Sequence, residues 1–371
     1  MLRILHLSEE NWVGTASTFV KYHKKLGNYA RLVTLARSDN EFGDDICLDL
    51  PFASGSPVNM ALRRAVHAIH GRSPRYQSVD GTRVWKRRSV FESWLFALRD
   101  AIRAKKIYDA IERYRLLDFD IYHLEGGGGF FYDARVVKRL KAMGKKIVCY
   151  YLGTALRDRG VVPEIDRLAD LRITTEFDHL ALHPNLRFSF LPFEVDDYEV
   201  RQVENEWLRI CHAPRNRLLK GTDTIIEVCR RLEKRHNVEL VLIEGMTNRE
   251  ALEIKATCDI AVDQIGNLGG TGYGVNSLET LAMGIPTVTE FTPEFAAFLP
   301  DHPFVLVDKD TLESELEKLI SDRDLRRCKA VEGRRFVEKY HRAETVVKSI
   351  YEMYRDMGWI DDKGNLLTAK T

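Results

Sequence analysis

Four glycines stand close together in the stretch Gly269-Gly-Thr-Gly-Tyr-Gly274, at positions 269, 270, 272 and 274. Glycine has no Cβ, so a loop of this composition lets its backbone N–H groups come close to a ligand. The apolar pattern that follows predicts a helix from Val275, and the free N–H groups and positive dipole end of a helix suit a diphosphate. Glu279 falls in the second turn of that helix, where a carboxylate can accept hydrogen bonds from a ribose diol. A glycine loop on its own is equally typical of a structural turn.

Three cations follow a strand predicted to end at His212, and they are Arg215, Arg217 and Lys220. Thr222 is then a candidate N-cap for the next helix. Fixed cations at the carboxyl end of a parallel strand are well placed for a phosphate ligand. In sugar transfer such cations stabilise the negative charge that develops on a departing nucleoside diphosphate. The alternative interpretation is a solvated cationic loop.

Short apolar runs alternate with longer amphipathic stretches along the chain, which predicts buried parallel strands separated by helices. The predicted strands are residues 2–7, 30–35, 121–124, 147–151, 208–212, 238–244, 260–264 and 286–290. The predicted helices between them are residues 17–26, 133–143, 222–235, 249–257 and 275–283. Strict alternation of this kind predicts an α/β protein with one doubly wound parallel sheet in each half.

The length of 371 residues is too great for one compact core and suits two α/β domains. The polar, acidic stretch 194–206 is the best boundary. We therefore predict an N-terminal domain over residues 1–200 and a C-terminal domain over residues 201–340. Residues 341–371 are predicted to form helices that pack back toward the N-terminal domain.

Charge and cysteine usage exclude several classes of function. The net charge of +1 gives no general attraction to nucleic acid or acidic membranes. The six cysteines lie far apart, without metal-ligand spacing, and are typical of reduced thiols. The acidic start of the chain does not resemble a signal peptide, and no run approaches the ~18 apolar residues of a membrane span. These patterns predict a cytoplasmic protein without a nucleic-acid partner.

Residues 61–115 depart from this even charge balance, since Lys and Arg there far outnumber Asp and Glu and aromatic residues are interleaved. We call them the basic aromatic segment. Its apolar residues fall roughly on one helical face, and they are Val90, Trp94, Leu95, Leu98, Ile102 and Ile107. One interpretation is a helix packed on the first sheet with a solvated basic face. The other is a patch that touches anionic lipid or a lipid-pyrophosphate acceptor.

The glycine loop and the cationic loop, with residues 243–245 and 258–264 between them, resemble the donor domain of retaining glycosyltransferases of family 4. That family joins a Lys-Gly pair, here Lys220-Gly221, to a Glu-x7-Glu motif and a helix that ends in Gly-x-Pro, here Gly284-Ile-Pro286. The resemblance is close over residues 208–290 and looser elsewhere. It implies the GT-B fold, in which two Rossmann-like domains face each other across a cleft.

The resemblance implies roles for residues of the C-terminal half. Lys220 and one of Arg215 or Arg217 would bind the donor diphosphate, and Glu279 would bind the ribose. Thr271 stands where the family has the first glutamate of its motif, which contacts the transferred sugar. The remaining implied donor contacts are the backbone N–H groups of Gly272, Tyr273 and Gly274, and the loop residues Gly245 and Met246 beside the nucleobase.

The N-terminal half carries the resemblance less closely. Gly14 and Thr15 are similar to the glycine loop that faces the diphosphate from the acceptor domain. Glu125 aligns with the family's active-site histidine, while His123 precedes it on the predicted strand. His123 is a candidate for the reacting centre and equally a candidate for a hydrogen-bonded histidine of the core.

The resemblance implies a hexosyltransferase-like enzyme that transfers sugar from a nucleotide-diphosphate sugar to a glycan or lipid-linked acceptor, with retention of configuration. It implies a role in polysaccharide biosynthesis and no metal or other cofactor, because lysine, arginine and helix N–H groups can carry the charge. Peripheral contact with the inner face of the membrane follows from the basic aromatic segment. Two alternatives stay open, a non-catalytic nucleotide-sugar-binding partner of a transferase complex and a nucleotide-sugar epimerase.

Overall fold

The computed structural model describes residues 1–11, 14–37, 43, 45–52, 76–86, 89–268, 270 and 272–367. The chain divides into two compact units. Unit 1 comprises Met1–Pro192 and Val346–Thr371, and unit 2 comprises Phe193–Thr345. The division thus lies between residues 192 and 193, whereas the sequence predicts a domain boundary between residues 200 and 201.

The described part of unit 1 contains a seven-stranded parallel sheet in the order β3-β2-β1-β6-β7-β8-β9. Its strands are β1 (Arg3–Ser8), β2 (Tyr29–Thr34), β3 (Ile46–Cys47), β6 (Ile121–Glu125), β7 (Lys146–Tyr151), β8 (Leu171–Thr174) and β9 (Arg187–Phe188). A separate antiparallel pair consists of β4 (Tyr76–Val79) and β5 (Thr82–Trp85). The central strands β1, β6 and β7 are buried along almost their whole length, as expected for parallel strands that are covered on both faces.

The helices of unit 1 fill the connections between these strands. They are α1 (Thr15–Lys25), α2 (Val90–Arg113), α3 (Arg135–Ala142), α4 (Ala155–Asp158) and α5 (Pro163–Asp166), with 3-10 turns at Phe177–Ala181 and, at the start of unit 2, Val195–Asp197. The last helix of the chain, α13 (Ala343–Asp356), belongs to unit 1 from Val346 onward. Its Tyr351 and Tyr354 hydrogen-bond to His23 and His123 in the core of this unit.

The described part of unit 2 contains a five-stranded parallel sheet in the order β11-β10-β12-β13-β14. Its strands are β10 (Leu208–His212), β11 (Val238–Leu242), β12 (Ile260–Val262), β13 (Thr287–Thr289) and β14 (Val305–Leu306). Its helices are α6 (Arg217–Lys220), α7 (Thr222–Glu233), α8 (Asn248–Lys255), α9 (Val275–Ala282), α10 (Pro293–Phe298), α11 (Leu312–Ser321) and α12 (Arg323–Phe336), followed by a π turn at Val337–His341. Helices α7 and α11 pack Ile225, Leu232 and Leu316 onto the sheet as one apolar core.

The predicted alternation of strands and helices is confirmed in both units. The sequence does not predict the short strands β3, β8, β9 and β14, which lie at or near the sheet edges. Strands of two to four residues are too short to show a hydrophobic period, so only their pairing identifies them.

Helix α2 buries a different face from the apolar face that the sequence predicts for the basic aromatic segment. Its buried face carries Asp100 and Arg103 beside Ile107 and Ala110. Four residues of the predicted apolar face are instead exposed, and they are Val90, Trp94, Leu98 and Ile102. The Arg103 guanidinium donates to the backbone oxygens of Pro51 and Phe52, at 2.9 and 2.7 Å. These polar contacts orient the helix, because a buried guanidinium must be hydrogen-bonded. Residues 61–75, 87 and 88 of the segment lie outside the described residues.

Among the residues that the structure describes, no helix is both long and apolar enough to span a bilayer.

Candidate functional site

Lys220 is the last residue of α6, a short helix that follows β10 at the carboxyl edge of the unit 2 sheet. Asn216 caps this helix by accepting a hydrogen bond from the backbone N–H of Leu219 at 3.2 Å. Gly221 ends it in the left-handed conformation, with φ of 63°. A Cβ on Gly221 would lie 2.4 Å from the carbonyl oxygen of Ile265, so a glycine is required there. Cap and glycine together determine where the Lys220 side chain begins.

The Lys220 ammonium is held by two acceptors that follow β12. Its Nζ donates to Asp263 Oδ1 at 2.7 Å and to Gln264 Oε1 at 3.1 Å. The Asp263 side chain is fully buried, while about a quarter of the Lys220 side chain is exposed. Burial alone would raise the pKa of Asp263, but the charge of Lys220 and the hydrogen bonds it receives lower that pKa below its usual value. Asp263 is therefore an ionised partner for Lys220.

The two predicted arginines differ in what they contact. Arg217 forms a bidentate pair with Glu244, at 2.8 Å between Nε and Oε1 and 2.5 Å between Nη2 and Oε2. Arg215 is exposed, and no described residue forms an ion pair with it. Of the two, Arg215 is thus the guanidinium that is available to a ligand.

The glycine loop leads into α9, whose first-turn residues Asn276 and Ser277 donate to Asp263 at 3.0 and 2.8 Å. Gly274 precedes the helix and caps it without a side-chain hydrogen bond. Gly272 has φ of 126°, which an L side chain rarely adopts, and its carbonyl accepts from Gln264 Nε2 at 3.0 Å. Lys220 and the N-terminus of α9 are therefore tied to the same two residues, Asp263 and Gln264.

Tyr273 is an anchor of this loop rather than a free polar group. Its hydroxyl hydrogen-bonds to Nε2 of His341 at 2.8 Å, and its ring packs against Phe291, Phe295 and Phe304. Burial raises its pKa well above the usual value. Thr271, the residue in place of the family's first motif glutamate, lies outside the described residues, as does Gly269.

Glu279 lies in the interior of unit 2, where its Oε2 accepts from Lys255 Nζ at 2.5 Å. About 4% of each side chain is exposed. Burial raises the pKa of Glu279, and the charge of Lys255 opposes that rise only in part. Because Lys255 occupies Oε2, the oxygen that remains for a ribose diol is Oε1.

Gly245 and Met246 are exposed at the carboxyl side of β11, next to the start of α8. Thr247 and Glu250 form a reciprocal capping box there, with Thr247 Oγ1 accepting from the Glu250 backbone N–H. The structure thus presents Gly245 and Met246 on an ordered turn at the same sheet edge as Lys220.

In unit 1, Gly14 adopts φ of 72° immediately before α1, and Thr15 is the buried first residue of that helix. The Gly14 carbonyl accepts from Ser17 Oγ at 2.8 Å, which closes the turn. Residue 14 therefore has a backbone conformation that glycine favours.

Glu125 ends β6 and forms a buried pair with His6 on β1, at 2.8 Å between Oε1 and Nδ1. Burial raises the pKa of Glu125 to about 8 and lowers that of His6 to about 3, so both groups are neutral at pH 7. His123, directly opposite His6 in the sheet, is fully buried and hydrogen-bonds to the Tyr354 hydroxyl. His123 is thus a core histidine, and Glu125 is the candidate that stands at the strand end.

His6, His123 and Glu125 each offer a metal-ligating atom, and these atoms lie within 4.8 Å of one another. The two imidazole rings are stacked, with centroids 4.4 Å apart and planes 26° from parallel. His6 Nδ1 is hydrogen-bonded to Glu125, whereas His6 Nε2, His123 Nδ1 and Glu125 Oε2 are buried without a hydrogen-bond partner among the described residues. These described residues supply three candidate ligand atoms, one fewer than a closed tetrahedral zinc site has.

The sequence does not identify Asp263, Gln264 or Lys255 as site residues. Asp263 and Gln264 directly follow β12, so their place at a strand end was a usable signal. Lys255 is one of several lysines on amphipathic helices, and its pairing with Glu279 across 24 residues has no sequence signature.

Known structures match almost the whole chain in fold. The apo structure of OtsA matches with a TM-score of 0.60 at 10% identity, covering 97% of this chain and 100% of that chain. Sucrose-phosphate synthase from Thermosynechococcus elongatus matches with a TM-score of 0.58 at 12% identity, covering 96% and 99%. HepE from Anabaena, solved in complex with UDP, matches with a TM-score of 0.57 at 12% identity, covering 96% and 100%.

No family model and no curated protein matches the chain. At 10 to 12% identity, the structural likeness shows the fold. The chain has the α/β fold of the two-domain GT-B glycosyltransferases.

Proposed function

We propose that this chain is a glycosyltransferase that uses a nucleoside-diphosphate sugar as donor. The observation that carries the proposal is the juxtaposition, within unit 2, of the Lys220 ammonium and the N-terminus of α9, which both contact Asp263. A cation beside free helix N–H groups is suited to a diphosphate. HepE, which has this fold, binds UDP and UDP-glucose.

In the proposed reaction the bond between the sugar C1 and the diphosphate oxygen breaks, and a bond from the acceptor hydroxyl oxygen to C1 forms on the same face of the sugar. The acceptor proton passes to the departing phosphate oxygen. Lys220, Arg215 and the N–H groups of α9 stabilise the charge that accumulates on the leaving diphosphate, more strongly in the transition state than in the ground state. The reaction so described retains the configuration at C1 and requires no metal ion.

The other proposed donor contacts come from the family resemblance. Glu279 Oε1 binds the ribose diol, and Gly245 and Met246 border the nucleobase. The backbone N–H groups of Gly272 to Gly274 contact phosphate or donor hydroxyls, and Thr271 replaces the motif glutamate. For unit 1, the resemblance assigns Gly14 and Thr15 to donor binding and Glu125 to the place of the family's histidine.

The first test is a thermal-shift panel with UDP, GDP, ADP and dTDP on the wild type, Lys220→Ala and the control Lys234→Ala. Lys234 is an exposed lysine of the same unit that ends α7. A nucleotide at 100 times its dissociation constant stabilises the folded state by about 2.7 kcal/mol. We expect one of these nucleotides to stabilise the wild type and the control but not Lys220→Ala. If no nucleotide stabilises the wild type, the donor site is wrong.

Turnover then separates the three candidate functions. Donor consumption that requires an acceptor supports transfer, and conversion of the donor without acceptor supports an epimerase. Tight binding without turnover over a panel of glycan and lipid-linked acceptors supports a non-catalytic partner.

We further propose that α2 brings unit 1 to an anionic lipid surface, where a lipid-linked acceptor is available. Apolar side chains of its first half are exposed in a stripe, with 65% of Phe91, 57% of Trp94 and 49% of Ile102 accessible. Exposed lysines accompany the stripe, among them Lys105 and Lys106. Apolar insertion combined with cations is typical of interfacial helices.

Co-sedimentation with vesicles containing phosphatidylserine tests this contact. Trp94→Ser with Leu98→Ser should lower the bound fraction several-fold, because apolar burial drives insertion. The control Val331→Ser removes an equally exposed apolar residue from unit 2 and should leave binding unchanged. Equal binding by all three proteins would reject the lipid contact.

A further inference from the structure

Asp263 is a junction for three polar side chains of unit 2. Its Oδ1 accepts from Lys220 Nζ at 2.7 Å and from Asn276 Nδ2 at 3.0 Å, and its Oδ2 accepts from Ser277 Oγ at 2.8 Å. None of the Asp263 side chain is exposed. A buried carboxylate with three donors is held in one position, because each of them would lose a hydrogen bond if it moved.

The ammonium group of Lys220 has three N–H donors in fixed tetrahedral directions. One donates to Asp263 and a second donates to Gln264 Oε1 at 3.1 Å. Gln264 is itself held through Nε2, which donates to the Gly272 carbonyl at 3.0 Å. With two donors committed to two anchored acceptors, the direction of the third is determined, and the side chain remains about a quarter exposed.

We infer that Asp263 is a positioning residue that, with Gln264, directs the third N–H of Lys220 at a phosphate oxygen of a nucleoside diphosphate bound at the N-terminus of α9. The inference rests on the proposed donor site and deepens it. It assigns the orientation of the lysine to a residue that never touches the ligand. It also explains why the cation and the helix terminus share one buried anchor.

The negative charge of Asp263 and its hydrogen bond to Lys220 should have opposite effects on nucleotide affinity. A negative charge next to a phosphate site repels the ligand, so its removal by itself would tighten nucleotide binding. Loss of the tether frees the ammonium to rotate, so the bond to phosphate would have to be made at an entropic cost and binding would weaken. The sign of the change in affinity therefore distinguishes a positioning residue from a mere counter-charge.

The experiment measures UDP affinity by calorimetry, with GDP and ADP as further probes, for Asp263→Ala, Asp263→Asn, Lys220→Ala and the double variant Asp263→Ala/Lys220→Ala. We expect Asp263→Ala to weaken binding about 10-fold, the low end of what a charged hydrogen bond contributes. Asp263→Asn keeps one acceptor for Lys220 and should weaken UDP binding less than Asp263→Ala does. The double variant should bind no worse than Lys220→Ala, because the positioning role inferred for Asp263 is exerted through that lysine.

Asp259 supplies a matched control, since it is a buried aspartate at the other end of the same strand, paired with Arg201 at 2.5 Å. Asp259→Ala should lower the unfolding temperature as Asp263→Ala does but leave UDP affinity unchanged. If Asp263→Ala does not fold, the same comparison is made with Asp263→Asn alone and combined with Lys220→Ala.

Each outcome has one meaning. Tighter binding by Asp263→Ala, additive losses in the double variant, or an equal loss in Asp259→Ala would each overturn the positioning role while leaving the donor site intact. No binding of any nucleoside diphosphate by the wild type would instead overturn the donor site, and the inference with it. Weaker binding, partial rescue by asparagine and non-additivity with Lys220→Ala together support it.

Discussion

The side chains of Lys255 and Glu279 form an ion pair inside unit 2, with 2.5 Å between Nζ and Oε2 and only about 4% of each side chain exposed. Glu279 is the residue proposed to bind the donor ribose, and Lys255 comes to it from a different helix. A buried carboxylate without such a partner would take up a proton, because burial raises its pKa. The charge of Lys255 opposes this rise in the pKa of Glu279, and the hydrogen bond holds the carboxylate in place within the interior.

Replacement of Lys255 should show how much the ion pair with Glu279 contributes to the stability of the protein. We expect Lys255→Met to lower the free energy of unfolding by about 3 kcal/mol, since it leaves the buried carboxyl group of Glu279 without its partner. The double variant Lys255→Met/Glu279→Gln should recover part of that loss. Urea unfolding measures both. Lys105→Met, which breaks an exposed pair with Asp109, is the control and should leave stability unchanged. An equal effect in the control would contradict the prediction.

Gly221 and Gly245 both adopt positive φ, at 63° and 66°, but differ in the space around them. An added Cβ would meet the Ile265 carbonyl oxygen at 2.4 Å at position 221 and nothing within 4 Å at position 245. Gly245→Ala should therefore cost only the left-handed conformation, about 1 kcal/mol. Gly221→Ala should cost about 3 kcal/mol or more because the backbone must also move. Thermal unfolding of the two variants tests this order, and similar losses would show that the contact with Ile265 does not constrain the turn.

Arg215 and Arg217 should differ in their effect on donor binding. We expect Arg215→Ala to weaken UDP binding about 10-fold, as for loss of a charged hydrogen bond. Arg217→Ala should have a smaller effect, because Glu244 already engages two of its three guanidinium nitrogens, Nε and Nη2. Calorimetric titration of each variant gives the comparison. The reverse order would identify Arg217 as the phosphate ligand.

The pair of His6 and Glu125 predicts how stability changes with pH. Below pH 6.5 the unfolded chain protonates His6, whose folded pKa is about 3, so stability rises between about pH 3 and 6.5. Glu125 has a folded pKa of about 8 against 4.5 for its ordinary value, so the folded state holds the extra proton and stability falls between about pH 4.5 and 8. The two slopes oppose each other from pH 4.5 to 6.5.

Between pH 6.5 and 8 only Glu125 of this pair titrates, so we expect Glu125 to cause a loss of stability in that range. Urea unfolding at a series of pH values should show the loss in the wild type and a flatter profile in Glu125→Gln, which keeps the shape without the titrating group. A Glu125→Gln profile as steep as that of the wild type would assign the loss to other groups.

Local sequence patterns predicted most of the strands and helices of this protein. Apolar runs such as 208–212 and the helix that starts at Val275 were predictable because strand and helix periods depend only on neighbouring residues. The same holds for Lys220 and Gly245, since the connection that follows a parallel strand starts at the carboxyl edge of the sheet.

Tertiary structure alone decided the contacts that give these residues their chemistry. Whether α2 buries Arg103 or Trp94 depends on the backbone oxygens of residues 51 and 52, which a helical period does not contain. The pairing of Asp263 with Lys220, and of Lys255 with Glu279, depends on which strands and helices become neighbours. Burial then sets the charge state, because desolvation and the partner's charge act through space rather than along the chain.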